Sequence, residues 1–180
     1  MNGSALDPFI RDENGKIIGL VSTGILMPAQ ENHYRMQFGG EVLKIFDELS
    51  GELAGKFVAG DALHTSELVL FSYPVYAGQS YTTSFQVVKI FPGFVLIYGE
   101  VKASSIGGSV DRSKDEVVRY SGFAVCAVVN KETGKIVKDG MPDVVFPQNW
   151  FPEEYLNIGE RFFELQRDYA KLVAKRGRGV

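Results

Sequence analysis

The chain has 180 residues, 45% of them hydrophobic, enough to bury one full core without metal or disulfide staples, so a single domain over 1–180 is expected. Its 19 Lys and Arg against 22 Asp and Glu give a net charge of −3, which provides no general attraction to nucleic acid or to an anionic membrane. The single cysteine, Cys126, lies in the apolar run 123–129 and reads as a small core hydrophobe in a reducing, cytoplasmic setting; no leader pattern opens the chain, and no apolar stretch approaches the roughly 20 residues that span a bilayer.

Asp12-Glu13-Asn14-Gly15 is a turn signal, and the β-rich residues 16–23 after it predict a short first strand. Residues 25–38 read as a loop. Beyond Gly39-Gly40, apolar residues at Val42, Leu43, Ile45, Phe46, Leu49, Leu53, Ala54, Phe57 and Val58 keep helical spacing, on a stripe wide enough to be buried on most sides. The period then becomes that of strands. Residues 62–71, 81–91 and 94–103 are rich in β-branched and aromatic side chains, with Tyr73-Pro74 and Phe91-Pro92-Gly93 as punctuation, and predict three sequential antiparallel strands.

Residues 104–116 are polar and predict a long mobile connection, in which Gly107-Gly108 opens no phosphate loop, and 117–129 predict a fourth long strand. After a turn at 130–134 and a proline-containing stretch at 141–152 comes a final amphipathic helix. Its predicted apolar face is Ile158, Phe162, Leu165, Tyr169, Leu172 and Val173, and its end is basic, with Lys171, Lys175, Arg176 and Arg178. No internal repeat is present. The order describes an α+β domain, an antiparallel sheet wrapped around a long central helix, with a core at about 16–145 and a C-terminal helical extension at about 153–176. A helix apolar nearly all round needs more cover than one curved sheet, and a second subunit would supply it.

Chemistry concentrates in Asn32-His33-Tyr34-Arg35-Met36-Gln37-Phe38-Gly39-Gly40 and, a little later, Asp47-Glu48-Leu49-Ser50-Gly51. Gly39 and Gly40 open the central helix, where free backbone N–H groups and the positive dipole end stabilise a developing oxyanion. On those residues alone, a tight turn is the simpler explanation. Asp47 shifts the balance, because a carboxylate among Ile45, Phe46 and Leu49 is costly unless paired or functional; its structural alternative is the one wet face of the helix, beside Lys44 and Glu48. For Asn32 the structural alternative is a side chain bonded to its own loop backbone. His33 and His64 stand in no metal-ligand spacing, and no serine lies in a nucleophile elbow, so neither a metal site nor a Ser-His-Asp triad is expected.

Residues 26–54 resemble the hot-dog acyl-CoA thioesterases of the bacterial broad-specificity and cytosolic acyl-CoA hydrolase type: a proline-bearing loop, Asn-His-Tyr, Phe-Gly-Gly, then an aspartate followed by Glu-x-x-Gly. A looser likeness continues through Phe71, Pro74-Val75 and Gly78. The resemblance implies a hot-dog fold and hydrolysis of an acyl-CoA thioester, with no cofactor, since coenzyme A is part of the substrate. It implies that Asp47 is the catalytic carboxylate, Asn32 its polar partner, and the N–H groups near Gly39 and Gly40 the carbonyl-polarising donors. His33, Phe38, Phe71 and Pro74 would line the substrate. Arg35 and Met36 stand where such enzymes usually have small residues, Gln79 replaces an acidic residue, and Gly60-Asp61-Ala62-Leu63 lacks a basic one.

Two other functions compete: an acyl-CoA-binding sensor or scaffold without catalysis, which has no need of an acid at 47, and a hot-dog hydratase or dehydratase, which is disfavoured because Ile90 rather than a histidine precedes Phe91-Pro92. Gly39 and Asp47 are eight residues apart, so about 12 Å separates them along one helix. One carbonyl cannot touch both, whereas two antiparallel copies of the helix at a two-fold axis would make two shared sites. The expected assembly is thus a homodimer, with a hexamer built as a trimer of dimers as its extension, the resemblance placing Asn32 and Asp47 of one site on different subunits.

Overall fold

The computed structural model describes residues 7–104, 116–142, 144, 146 and 150–176. Residues 105–115 of the connection expected over 104–116, Gly107 and Gly108 among them, lie outside the described residues, as does Arg178. The turn at 12–15 forms as its sequence dictates. Asp12 Oδ1 accepts the backbone N–H groups of Asn14 and Lys16 at 3.0 and 2.8 Å, closing a hairpin between β1 (Phe9–Arg11) and β2 (Ile17–Ile25). Strand β1 was not expected from sequence; at three residues it is too short for a readable alternation.

A 3-10 turn (Pro28–Gln30) interrupts the loop, and α1 then runs over Gly39–Val58. The strands that follow are β3 (Asp61–Phe71), β4 (Ser80–Phe91), β5 (Phe94–Ser104) and β6 (Glu116–Val129), and α2 spans Glu153–Arg176. Every pairing is antiparallel, in the order β1-β2-β4-β5-β6-β3. The tight β4–β5 hairpin depends on Pro92-Gly93: Gly93 has φ +81°, and a Cβ there would meet Ile136 Cγ2 at 2.4 Å.

The strands are antiparallel as expected, but β3 does not pair with β4, its neighbour in sequence. It crosses to the far edge and pairs with β6, from Asp61 opposite Val129 to Phe71 opposite Tyr120. The connection between β3 and β4 is held instead by the start of α1, where Gln37 N–H donates to Val75 O at 2.8 Å, Met36 bridges Tyr76, and Val75 is fully buried.

The helix α1 lies in the curve of the sheet. Val42, Phe46, Leu53, Ala54 and Phe57 are buried against sheet residues such as Leu20, Val87 and Val101, and the Phe46 ring meets Phe85 edge-on at 5.0 Å. Cys126 is fully buried there, its thiol pushed up to about 12 by burial, as a core residue and not a reactive one. Phe57 is 2% exposed. Truncating it to Ala is expected to cost about 3–5 kcal/mol, read as a drop in the urea midpoint; an unchanged midpoint would place that stripe of α1 outside the core. Leu49 is only half-buried in the isolated chain, so the same truncation there costs less.

The opposite face of the sheet carries α2, which turns a helix-in-sheet arrangement into three layers. Its buried side differs from the predicted one. Leu156, Gly159, Phe162 and Phe163 face the sheet, with Phe163 stacked on Phe91 at 3.9 Å and Gly159 so close to Phe123 that a Cβ would lie 2.7 Å from the ring. Of the predicted apolar face only Phe162 is among these, and Ile158, Leu165, Tyr169, Leu172 and Val173 are at least half exposed. An ion pair between Lys89 and Glu160 and a hydrogen bond from Gln166 Nε2 to Thr65 Oγ1 at 3.3 Å tie α2 to β4 and β3. No helix among the described residues is long and apolar enough to cross a membrane.

Candidate functional site

The loop before α1 is shaped by Asn32. Its Oδ1 accepts the N–H groups of Tyr34 and Met36 at 2.8 and 3.3 Å, and its carbonyl accepts from Arg35 N–H at 2.9 Å. This closes a turn in which Arg35 takes the left-handed φ of 60°. The self-bonded alternative weighed for Asn32 is therefore real for its oxygen. Its Nδ2 makes no hydrogen bond among the described residues and is available to donate.

The loop delivers the chain to Phe38, the N-cap of α1, which has no side-chain cap, so the first N–H groups of the helix, at Gly39 and Gly40, are left at its positive end. Beside this end is a cleft of about 330 Å³ lined by Asn32, Met36, Gln37, Gly39, Phe71, Ser72, Tyr73, Pro74 and Tyr120. Phe71 lies over Gly39, 3.8 Å from where a Cβ would stand, and packs edge-on against Tyr120 at 5.3 Å. Tyr120 Oη accepts Val75 N–H at 3.1 Å, and burial raises its phenol above the ordinary value, so the hydroxyl stays neutral.

Gln37 is the unusual wall of this cleft. It is 5% exposed, yet neither its side-chain nitrogen nor its oxygen has a partner among the described residues. A buried amide left unpaired costs about 1–3 kcal/mol, a cost that a ligand's polar atom would remove.

Asp47 lies two turns along α1, outside the cleft, with a side chain 61% exposed. Lys44 and Glu48 form a loose pair at 3.8 Å on the same side, so the wet-face alternative describes its position correctly. It is nevertheless held. His64 on β3 places Nδ1 2.9 Å from Asp47 Oδ1, with the ring only 13% exposed.

The predicted residues thus divide. Asn32, Gly39, Phe71 and Pro74 share one cleft, with Gly40 and Phe38 at its helix end; the Phe38 ring covers Gly40, whose Cβ would meet it at 2.7 Å. His33 is exposed, stacks on Tyr34 at 3.8 Å and forms no part of the cleft wall. Asp47 is brought to none of them within one chain. Sequence reasoning missed Gln37 and Tyr120, whose burial depends on the β3-to-β4 crossover, and set His64 aside because a partner seventeen residues back on another element leaves no local spacing. Asp47 offered the signal: a mid-helix carboxylate on an otherwise apolar segment asks for a donor.

Neither a protein-family model nor a curated protein matches the chain by sequence. Solved structures match it by shape. The acyl-CoA hydrolase of Staphylococcus aureus, solved with butyryl coenzyme A, coenzyme A and coenzyme A disulfide, gives a TM-score of 0.73 over 88% of this chain and 93% of its own, at 15% identity. The acyl-CoA hydrolase of Bacillus cereus gives 0.72 over 89% and 92%, at 17% identity. An apo hexameric acyl-CoA thioesterase gives 0.63 over 90% and 94%, at 19% identity. The S. aureus enzyme has also been solved with an aspartate, and separately an asparagine, changed to alanine, the asparagine lying fifteen residues before the aspartate. The fold is the α+β hot-dog fold in which acyl-CoA thioesterases are built.

Proposed function

We propose that this chain is an acyl-CoA thioesterase, hydrolysing an acyl-CoA thioester to the free acid and coenzyme A at a site shared between two copies. The observation that carries the reading is the division of the site: an oxyanion-type cleft at the start of α1, and a held carboxylate about 12 Å further along the same helix, beyond the reach of one carbonyl. Asn32 and Asp47 also keep the fifteen-residue separation of the asparagine and aspartate in the S. aureus enzyme.

The edge of the sheet supports the dimer. Strand β3 is eleven residues long, lies at the sheet edge and exposes Leu63, Leu68, Leu70 and Phe71. A long apolar edge is a template for pairing with another strand. Antiparallel pairing with β3 of a second copy would continue the sheet and set the Phe71 end of one strand beside the His64 end of the other. The cleft of each chain would then face Asp47 of its partner. The apo thioesterase is hexameric, and a hexamer of this chain, built as a trimer of such dimers, would extend the same reading.

In this site the thioester carbonyl would sit at the start of α1, polarised by the N–H groups of Gly39 and Gly40 and by Asn32 Nδ2, with the Gln37 amide as a further polar wall. Asp47 of the partner subunit then either takes a proton from the water whose oxygen attacks the carbonyl carbon, or attacks that carbon itself to form a mixed anhydride that water afterwards hydrolyses; in both routes the C–S bond breaks, and the thiolate leaves and is protonated as coenzyme A. No cofactor enters. The test is thiol release from a panel of short, medium, long and aryl acyl-CoAs. Hydrolysis of at least one well above background is expected; binding of coenzyme A or its esters with no hydrolysis of any would replace the enzyme with a sensor.

A further inference from the structure

The carboxylate assigned above to catalysis is the front of a three-residue line that enters the sheet. His64 Nδ1 lies 2.9 Å from Asp47 Oδ1, and His64 Nε2 faces Glu67 Oε2 at 3.8 Å. His64 and Glu67 are three apart on β3, so in a regular strand they would point to opposite faces. A bulge between His64 and Ser66 shifts the register against β6 and breaks the burial alternation at Ser66 and Glu67. It turns Glu67 to the side of the sheet where His64 meets α1, while Thr65 bonds Val125 O and Gln166 on the α2 side. Bulges commonly serve to re-aim a side chain in this way.

Both inner atoms of the line are buried and lack any other partner: His64 Nε2 and Glu67 Oε2 make no hydrogen bond among the described residues. Burial raises the Glu67 carboxyl above its ordinary value, and the charge of His64 partly opposes this. A carboxylate oxygen can only accept, so the 2.9 Å approach of Nδ1 to Asp47 Oδ1 requires the proton on Nδ1, where it points at Asp47.

We propose that His64 is the positioning residue of Asp47, its Nδ1–H fixing one carboxylate oxygen so that the other faces the reacting water or thioester, with Glu67 behind the ring. The inference rests on the reading of Asp47 as the catalytic carboxylate. His64 itself touches no substrate. An exposed aspartate on a helix surface rotates freely; one held at Oδ1 presents Oδ2 in a single direction, and loss of that alignment by about 1 Å costs on the order of 100-fold in rate.

The test compares His64→Leu, His64→Asn and Asp47→Asn under saturating and limiting acyl-CoA. His64→Leu, which has no donor, is expected to lower kcat about 100-fold with KM nearly unchanged. His64→Asn, whose amide N–H can stand where Nδ1–H does, is expected to recover most of that loss, and it serves as the folding control, since a purely structural role would not distinguish the two by kcat alone. If His64→Leu keeps wild-type kcat while Asp47→Asn is inactive, or if His64→Asn folds and is as slow as His64→Leu, the positioning role is wrong and the assignment of Asp47 survives. Wild-type turnover in Asp47→Asn would overturn the assignment of Asp47, and the inference with it.

Discussion

Replacing Asp47 by asparagine is expected to lower turnover of the preferred acyl-CoA by about 10²–10⁴-fold while leaving fold and coenzyme A affinity intact. The substitution conserves shape. An amide oxygen can still accept from His64 Nδ1, whose ring lies 2.9 Å away, so the local hydrogen bond survives. What is lost is the basic or nucleophilic oxygen. Because the side chain is 61% exposed, the protein does not depend on its charge to fold, and the thermal midpoint is expected to move little. Measurement of kcat, KM and coenzyme A affinity side by side separates the outcomes: a collapse in kcat alone supports the role, and near-wild-type kcat refutes it.

Much of this fold is legible in the residues, because burial imposes a period on them. The stripe from Val42 to Val58 reads as a helix and is one, and four of the long strands end within about two residues of their apolar alternation. The path of β3 was not legible. Proximity in sequence favours a hairpin with β4, and the crossover follows from Val75 being buried beside the start of α1, a tertiary contact that no local pattern announces. The face of α2 was misjudged for a related reason: its apolar residues form an arc broader than the strip that meets the sheet, and Gly159, which hydrophobicity does not mark, is a point of close approach to it.

The candidate site divides along the same line. Asn32, Gly39, Phe71 and Pro74 could be named from their motifs and do share a cleft, although the motifs say nothing of the unpaired Gln37 amide between them. The His64–Glu67 arrangement depends on a one-residue bulge, and a bulge within a β-branched, polar segment such as Leu63-His64-Thr65-Ser66 leaves no signature in a single sequence.

The shared site is the central claim, and subunit mixing tests it most directly. Asn32→Ala removes the Nδ2 donor at the cleft, and Asp47→Ala removes the carboxylate that would be presented by the partner. Each homodimer carries its lesion in both sites and is expected to be nearly inactive. A mixed dimer gathers both lesions into one site and leaves the other with an intact Asn32 from one chain and an intact Asp47 from its partner. Differently tagged variants, co-refolded and purified as the doubly tagged species, are therefore expected to recover up to about half of the wild-type activity per dimer, if the two sites act independently. A mixed dimer of wild-type and Asp47→Ala chains, with one intact site by the same geometry, checks that independence and should show a similar half. Recovery in the doubly variant dimer to that level is the predicted result. Doubly variant dimers as inactive as their parents, beside half-active wild-type/Asp47→Ala dimers, would contradict it and place Asn32 and Asp47 of each site on one chain.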